Sequence, residues 1–199
     1  MGAVATAAVA GSARADGDPA SDFLIAQQVF FPYDVKLPPR QQAELTGTVS
    51  AANEAGYKIR VAIIADSYDL GSVTALWRKP RLYARFLGQE LSFAYKNRLL
   101  VAMPNGFGFN RPGHPATHEY AIVDRIPIGR GAAGLLEAAT TAVQRLAAAS
   151  GVHVTVTDAK GGGSSTSHDR LVIVAAAVAA VLAAAAARLL LRRRRRDPA

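Results

Sequence analysis

The strongest constraint on this chain of 199 residues is a run near its end, residues 171–191 (LVIVAAAVAAVLAAAAARLLL), followed at once by five arginines, residues 192–196. As a helix rising about 1.5 Å per residue, that run covers the roughly 30 Å hydrocarbon core of a bilayer. A core helix of this length needs a polar face, and the run shows none before Arg188. Its large apolar residues contribute about −0.3 to −0.6 kcal/mol each near the centre of a span, enough to outweigh one Arg near the end that snorkels to the headgroups. Residues 171–191 are therefore expected to form one transmembrane helix. Short Arg runs beside a span stay on the cytoplasmic side. Residues 192–199 then read as a basic cytoplasmic tail, and the chain before the span as an extracytoplasmic part of a single-pass cell-membrane protein.

A domain on that side has to be exported. Residues 3–10 (AVATAAVA) form a short apolar run of small residues, and Ala13-Arg14-Ala15 fits a small-x-small cleavage site. Residues 1–15 are read as a signal peptide clipped of its positive n-region. Between leader and span lie about 150 residues, one domain able to bury its own core.

The net charge of +8 suggests a nucleic-acid partner until it is divided along the chain. From Leu171 onward stand six Arg and one Asp, which leaves residues 1–170 with only +3. No long basic patch is evident there, so nucleic acid is not expected as a partner. The chain has no cysteine, which excludes disulfides, thiol nucleophiles and thiolate metal sites. Arg exceeds Lys by 18 to 5 and Ala is abundant, as in proteins of GC-rich bacteria.

Along the domain, residues 16–22 read as a flexible start and residues 23–35 as a short strand or an extended segment interrupted by Pro32. Pro38 and Pro39 open a helix with Leu45, Val49 and Ala52 on one face and Gly56 as its stop. Residues 59–65 (IRVAIIA) are short, rich in branched residues and apolar nearly throughout, as a strand covered on both faces should be. A loop with a helical turn follows. Residues 80–95 then read as a helix with Tyr83, Leu87, Leu91 and Ala94 in line, leading to a second buried strand at residues 98–103. The long crossover predicts that these two strands are parallel. Residues 105–120 read as a loop and residues 120–128 as a further strand at an edge, because of Pro127. Residues 132–150 are the clearest helix, with a stripe of Leu135, Leu136, Ala139, Val143 and Leu146 ended by Gly151. Val152, Val154 and Val156 alternate with polar residues like a half-buried strand. Residues 158–170 form a Gly/Ser linker. The fold class expected for residues 16–157 is α/β, a small mixed or parallel sheet flanked by helices.

The stretch YKIRVAII, the strand running into a Gly-aromatic turn (RLLVAMPNGFGF) and the closing Ala-rich helix (GAAGLLEAATTAVQRLAA) resemble, in their order, the TPM domain family over residues 35–150. That family includes extracytoplasmic bacterial proteins with the same order of signal, domain and anchor. Some members are described as acid phosphatases, others as assembly factors or modulators of membrane complexes. Members with proposed metal or phosphatase chemistry carry acidic residues around the second strand, where this chain has Lys96-Asn97-Arg98 and Asn105-Gly106-Phe107-Gly108.

In open α/β sheets, ligands collect beyond the carboxyl ends of the strands. Those ends carry Asp66 and Asp69 after the first strand and Asn105 after the second. If the strands are neighbours, the three converge as oxygen ligands for a divalent cation such as calcium. The other reading is that the two Asp residues cap their own loop. His114 and His118 have a ligand-like spacing, but Gly113 and Pro115 argue against a regular helix and no third ligand is evident. Trp77-Arg78-Lys79 with Arg81 and Arg85 forms a basic cluster suited to an acidic partner, lipid headgroups or phosphate, or else a solvated helix start. No catalytic constellation and no organic cofactor are evident. The expected function is an anchored binding or modulator domain of the bacterial envelope, with the lipid bilayer and other membrane or envelope proteins as partners. Its rival is a metal-dependent, phosphatase-like hydrolase.

Overall fold

The computed structural model of this protein describes residues 17–154. The expected leader, the linker, the apolar run of residues 171–191 and the basic tail lie outside the described residues. Among the described residues, no helix is long and apolar enough to cross a membrane.

Four strands form one mixed sheet in the order β1 (Val29–Phe30), β2 (Ile59–Ile63), β3 (Arg98–Met103), β4 (Gly106–Asn110). The first three are parallel, and β4 returns antiparallel to β3 through Pro104 and Asn105. The side-chain period of two decides what each face buries. Val29, Ile59, Val61, Ile63, Leu100, Ala102, Phe107 and Phe109 point to one core. Phe30, Ala62, Ile64, Leu99, Val101 and Met103 point to the other. The first core is covered by α2 (Pro39–Glu54), α4 (Thr117–Val123) and α5 (Gly131–Ala149). The second is covered by α1 (Pro19–Ala26) and α3 (Pro80–Glu90), with a kinked 3-10 segment at Tyr68–Leu76. The architecture is a three-layer α/β sandwich whose central strands are buried on both sides.

The two strongest helical stripes fall as their spacing predicts. Leu45, Val49 and Ala52 of α2, and Leu135, Leu136, Ala139, Val143 and Leu146 of α5, are all buried. Both helices end just before a glycine of positive φ, Gly56 and Gly151. In α3, Tyr83, Leu87 and Leu91 are buried as expected, but the chain tightens into a 3-10 turn at Leu91–Phe93 and Ala94 faces solvent.

Four expectations are corrected. The start of the domain is helix α1, because Asp18 caps it by accepting from Ala20 N and Pro19 pre-sets its first turn. The GFGF stretch is strand β4, with both phenylalanines buried against the first core. The stretch 120–128 holds no strand: it begins inside α4, where Tyr120, Val123 and Ile126 recur every three residues and turn inward, and Pro127 lies beyond its end. Val152–Val154 forms no strand; its two valines pack half-buried on the first core, and the rest of that expected strand lies outside the described residues.

Strand β4 gives up side chains on its other face for contact. A Cβ on Gly108 would overlap the carbonyl oxygen of Pro80 and crowd Ala84, and a Cβ on Gly88 would overlap the side-chain amide of Asn110. Pro80, Ala84 and Gly88 lie four apart on one side of α3, so the helix rests directly on the strand backbone. Gly108→Ala is therefore expected to lower the unfolding free energy by about 2 kcal/mol through overpacking, read as a lowered midpoint in chemical unfolding followed by circular dichroism.

Asp18 ties α1 to α3. Its Oδ1 accepts from the Tyr83 hydroxyl at 2.7 Å and from Ala20 N at 3.2 Å, while Oδ2 is buried without a partner. Burial pushes the carboxyl up to about 6, against the lowering effect of those two bonds. A folded-state value above the unfolded 3.8 means that the folded chain holds the proton more tightly. The stabilisation is full below about pH 4 and is lost as pH rises through about 6, a change of at most about 3 kcal/mol. The thermal midpoint of wild type, compared with that of Asp18→Asn, is expected to fall more steeply between about pH 4 and pH 7; parallel curves would refute the assignment.

Candidate functional site

The contact between α3 and β4 also decides where the basic residues go. Arg81 and Arg85 stand one residue past Pro80 and Ala84, one helical turn apart, and so rise over the outer edge of β4. There the chain leaves the sheet through Arg111 and turns back through His114 into α4. Arg81, Arg85, Asn110, Arg111, His114 and Tyr120 line one groove of about 370 Å³. No Asp or Glu lines it. A second groove of about 330 Å³ shares Arg81 and adds Lys79, Leu82, Asn105 and Asp124.

Tyr120 is the anchor between these grooves. Its hydroxyl accepts from Phe109 N at 3.1 Å and donates to Phe109 O at 3.0 Å, closing backbone positions on the edge of β4 that would otherwise be free to pair. The Arg81 guanidinium lies 4.2 Å over the Tyr120 ring and donates to Asp124 Oδ2 at 2.6 Å. Both partners of that ion pair are about half exposed, so it orients Arg81 more than it stabilises the fold. Among the described residues, Arg85 and Arg111 have no carboxylate within ion-pair distance. Guanidinium groups that line one groove, two of the three without a carboxylate partner among the described residues, suit an anionic ligand, because their planar N–H forks match carboxylate and phosphate oxygens.

The turn before α3 carries a further constraint. Arg78 has φ 57°, the left-handed region, and is the one described non-glycine residue there. Asn105 Nδ2 donates to Arg78 O at 2.7 Å and so fastens the β3–β4 turn to this strained residue.

The three residues expected to hold a cation are placed as follows. Asp66 Oδ1 accepts from Tyr68 N at 2.8 Å, a local turn. Asp69 is buried, and its Oδ2 accepts from Ala65 N at 2.7 Å and Asp66 N at 3.1 Å. Burial raises the Asp69 carboxyl above its usual range, and backbone N–H groups of Asp66, Ala65 and Tyr33 pull it partly back. Asn105 lines its grooves with Asp124, and neither Asp66 nor Asp69 lines them. Each of the three thus has a backbone partner. No group of three or more His, Asp or Glu suited to a metal occurs among the described residues. Of the two histidines, His114 lies in the loop lining the basic groove and His118 is exposed on α4.

Arg81 and Arg85 were visible in the sequence as part of a basic cluster. Arg111 and His114 were not, because Arg85 and Arg111 lie 26 positions apart and only the packing of α3 on β4 joins them. The strict alternation in GFGF was the missed signal, since it marks a strand that delivers Arg111 to that edge. No protein family, curated protein or solved structure matches the chain.

Left-handed backbone costs a side-chain-bearing residue about 1–2 kcal/mol, and glycine loses somewhat more chain entropy on folding. Arg78→Gly is therefore expected to stabilise the protein by about 0.5–1 kcal/mol net, measured as a raised thermal midpoint.

Proposed function

We propose that this chain is a membrane-anchored, extracytoplasmic binding domain of the bacterial envelope, of the TPM-like kind, that engages an anionic partner through the groove of Arg81, Arg85, Arg111 and His114. One observation carries this reading: two arginines of α3 and Arg111, just after β4, line one groove with His114 and with no carboxylate among the lining residues. Two features add support. Tyr120 and Asp124 hold Arg81 in a set orientation, so part of the ordering cost of binding is met before the ligand arrives. The apolar run of residues 171–191 with its trailing arginines supports the anchor and its orientation.

The reading makes binding, and not turnover, the measurable property. With the full chain in micelles of a zwitterionic detergent, a labelled hexaglutamate peptide is expected to bind in a salt-dependent manner. Arg85→Glu combined with Arg111→Glu is expected to weaken that binding by tenfold or more, since each change places like charge against the peptide. Unchanged binding would remove the groove from the function. Cation-dependent turnover of a phosphate ester, abolished by Asp66→Ala, would instead support the hydrolase reading, with Asp66, Asp69 and Asn105 around a divalent cation such as calcium.

A further inference from the structure

The basic face extends beyond the groove in a direction that an isolated anion does not use. Before α3 stand Trp77, Arg78 and Lys79, and the helix opens with Arg81 and Leu82. Leu82 is 44% exposed and lines the second groove between Lys79 and Arg81 on one side and the β3–β4 turn on the other. Trp77 is half-buried and rests against the second core. Arg78 is held in its strained conformation by Asn105, which keeps the turn in one shape. A large apolar side chain standing among cations, with a half-buried tryptophan five residues earlier in the chain, is the composition of surfaces that sit at a bilayer interface. A free phosphate or a carboxylate peptide would satisfy the arginines and leave Leu82 in water.

Resting on the binding reading above, we infer that the face of Trp77, Arg78, Lys79, Arg81, Leu82 and Arg85 docks onto an anionic phospholipid surface. The cations meet the headgroup phosphates, and Leu82 enters the boundary between headgroups and acyl chains. Each Lys or Arg near an anionic surface strengthens association by about fivefold, so the four cations of this face together supply on the order of several hundredfold. The sequence sets the domain only a short Gly/Ser stretch before the apolar run of residues 171–191, which brings such a surface within reach once that run enters a bilayer. Docking would then orient the domain on the membrane without any further protein.

Trp77 is the one tryptophan of the chain, so it reports on this face directly. The full chain is reconstituted into vesicles of phosphatidylcholine alone, or with about one third phosphatidylglycerol, both with brominated acyl chains as quenchers. The expected result is a blue-shifted and quenched Trp77 emission in the anionic vesicles only, reversed by high salt. Lys79→Glu and Arg85→Glu should each reduce the quenching, while Arg145→Glu on α5, across the sheet, should leave it unchanged. Leu82→Ser should reduce quenching with the charges intact, and circular dichroism checks that each variant remains folded. Equal quenching in both vesicle types, or none in either, overturns the inference. If quenching is absent while hexaglutamate still binds through Arg85 and Arg111, the lipid inference falls and the binding reading stands. If both are absent, both fall.

Discussion

The contact on which the remainder of this domain depends is the direct seating of α3 on the backbone of β4. It exists because Gly108 and Gly88 present no Cβ where Pro80 and Asn110 lie. Ordinary side chains at those two positions would lift the helix off the strand. Three things follow from the close approach. The second core closes over Leu99, Val101 and Met103. The edge strand is left narrow enough for Tyr120 to reach across and close its backbone at Phe109. And Arg81 and Arg85 come to stand over the exit of β4 beside Arg111 and His114. Packing and site are thus one arrangement, in which the helix that completes the core also delivers the charges.

The electrostatics of the domain separate into two kinds. Carboxylates at the carboxyl ends of the parallel strands are turned to backbone: Asp66 to Tyr68 N, Asp69 to Ala65 N and Asp66 N. These bonds close the loop that leaves β2 and hold the 3-10 segment after it. Asn105 does similar work for the β3–β4 turn by binding Arg78 O. The guanidinium groups near α3 are treated differently. Only Arg81 has a carboxylate partner there, and that pair is open to solvent. A buried ion pair would have consumed the charge in the fold; an exposed and mostly unmatched set leaves it available to a ligand.

Much of the scaffold was legible in the residues. The strands at β2 and β3 are short, branched and apolar on both faces, and a chain covered on both sides has no other economical place for them. The stripes of α2 and α5 were read correctly because three residues in the first and five in the second repeated a helical spacing. What was misread was short. Helix α1 was hidden because its signal is a single Asp-Pro pair before a brief apolar stretch. Strand β4 was hidden because Gly is a poor strand former, and its presence makes sense only once α3 lies against it. Helix α4 was mistaken for a strand because seven residues cannot separate a period of two from one of three.

By itself, then, the sequence determined the α/β class, the parallel pairing of β2 with β3, the central apolar strands and the Arg-rich start of α3. Each is a local property, set by side-chain period, chain length between strands or composition. Only the tertiary structure decided that the sheet is mixed and that Asn105 binds a carbonyl. It also decided that Arg85 shares a groove with Arg111 and His114. Those outcomes depend on which backbone can approach which, and a pair of glycines 20 residues apart announces that approach only after both partners are in place.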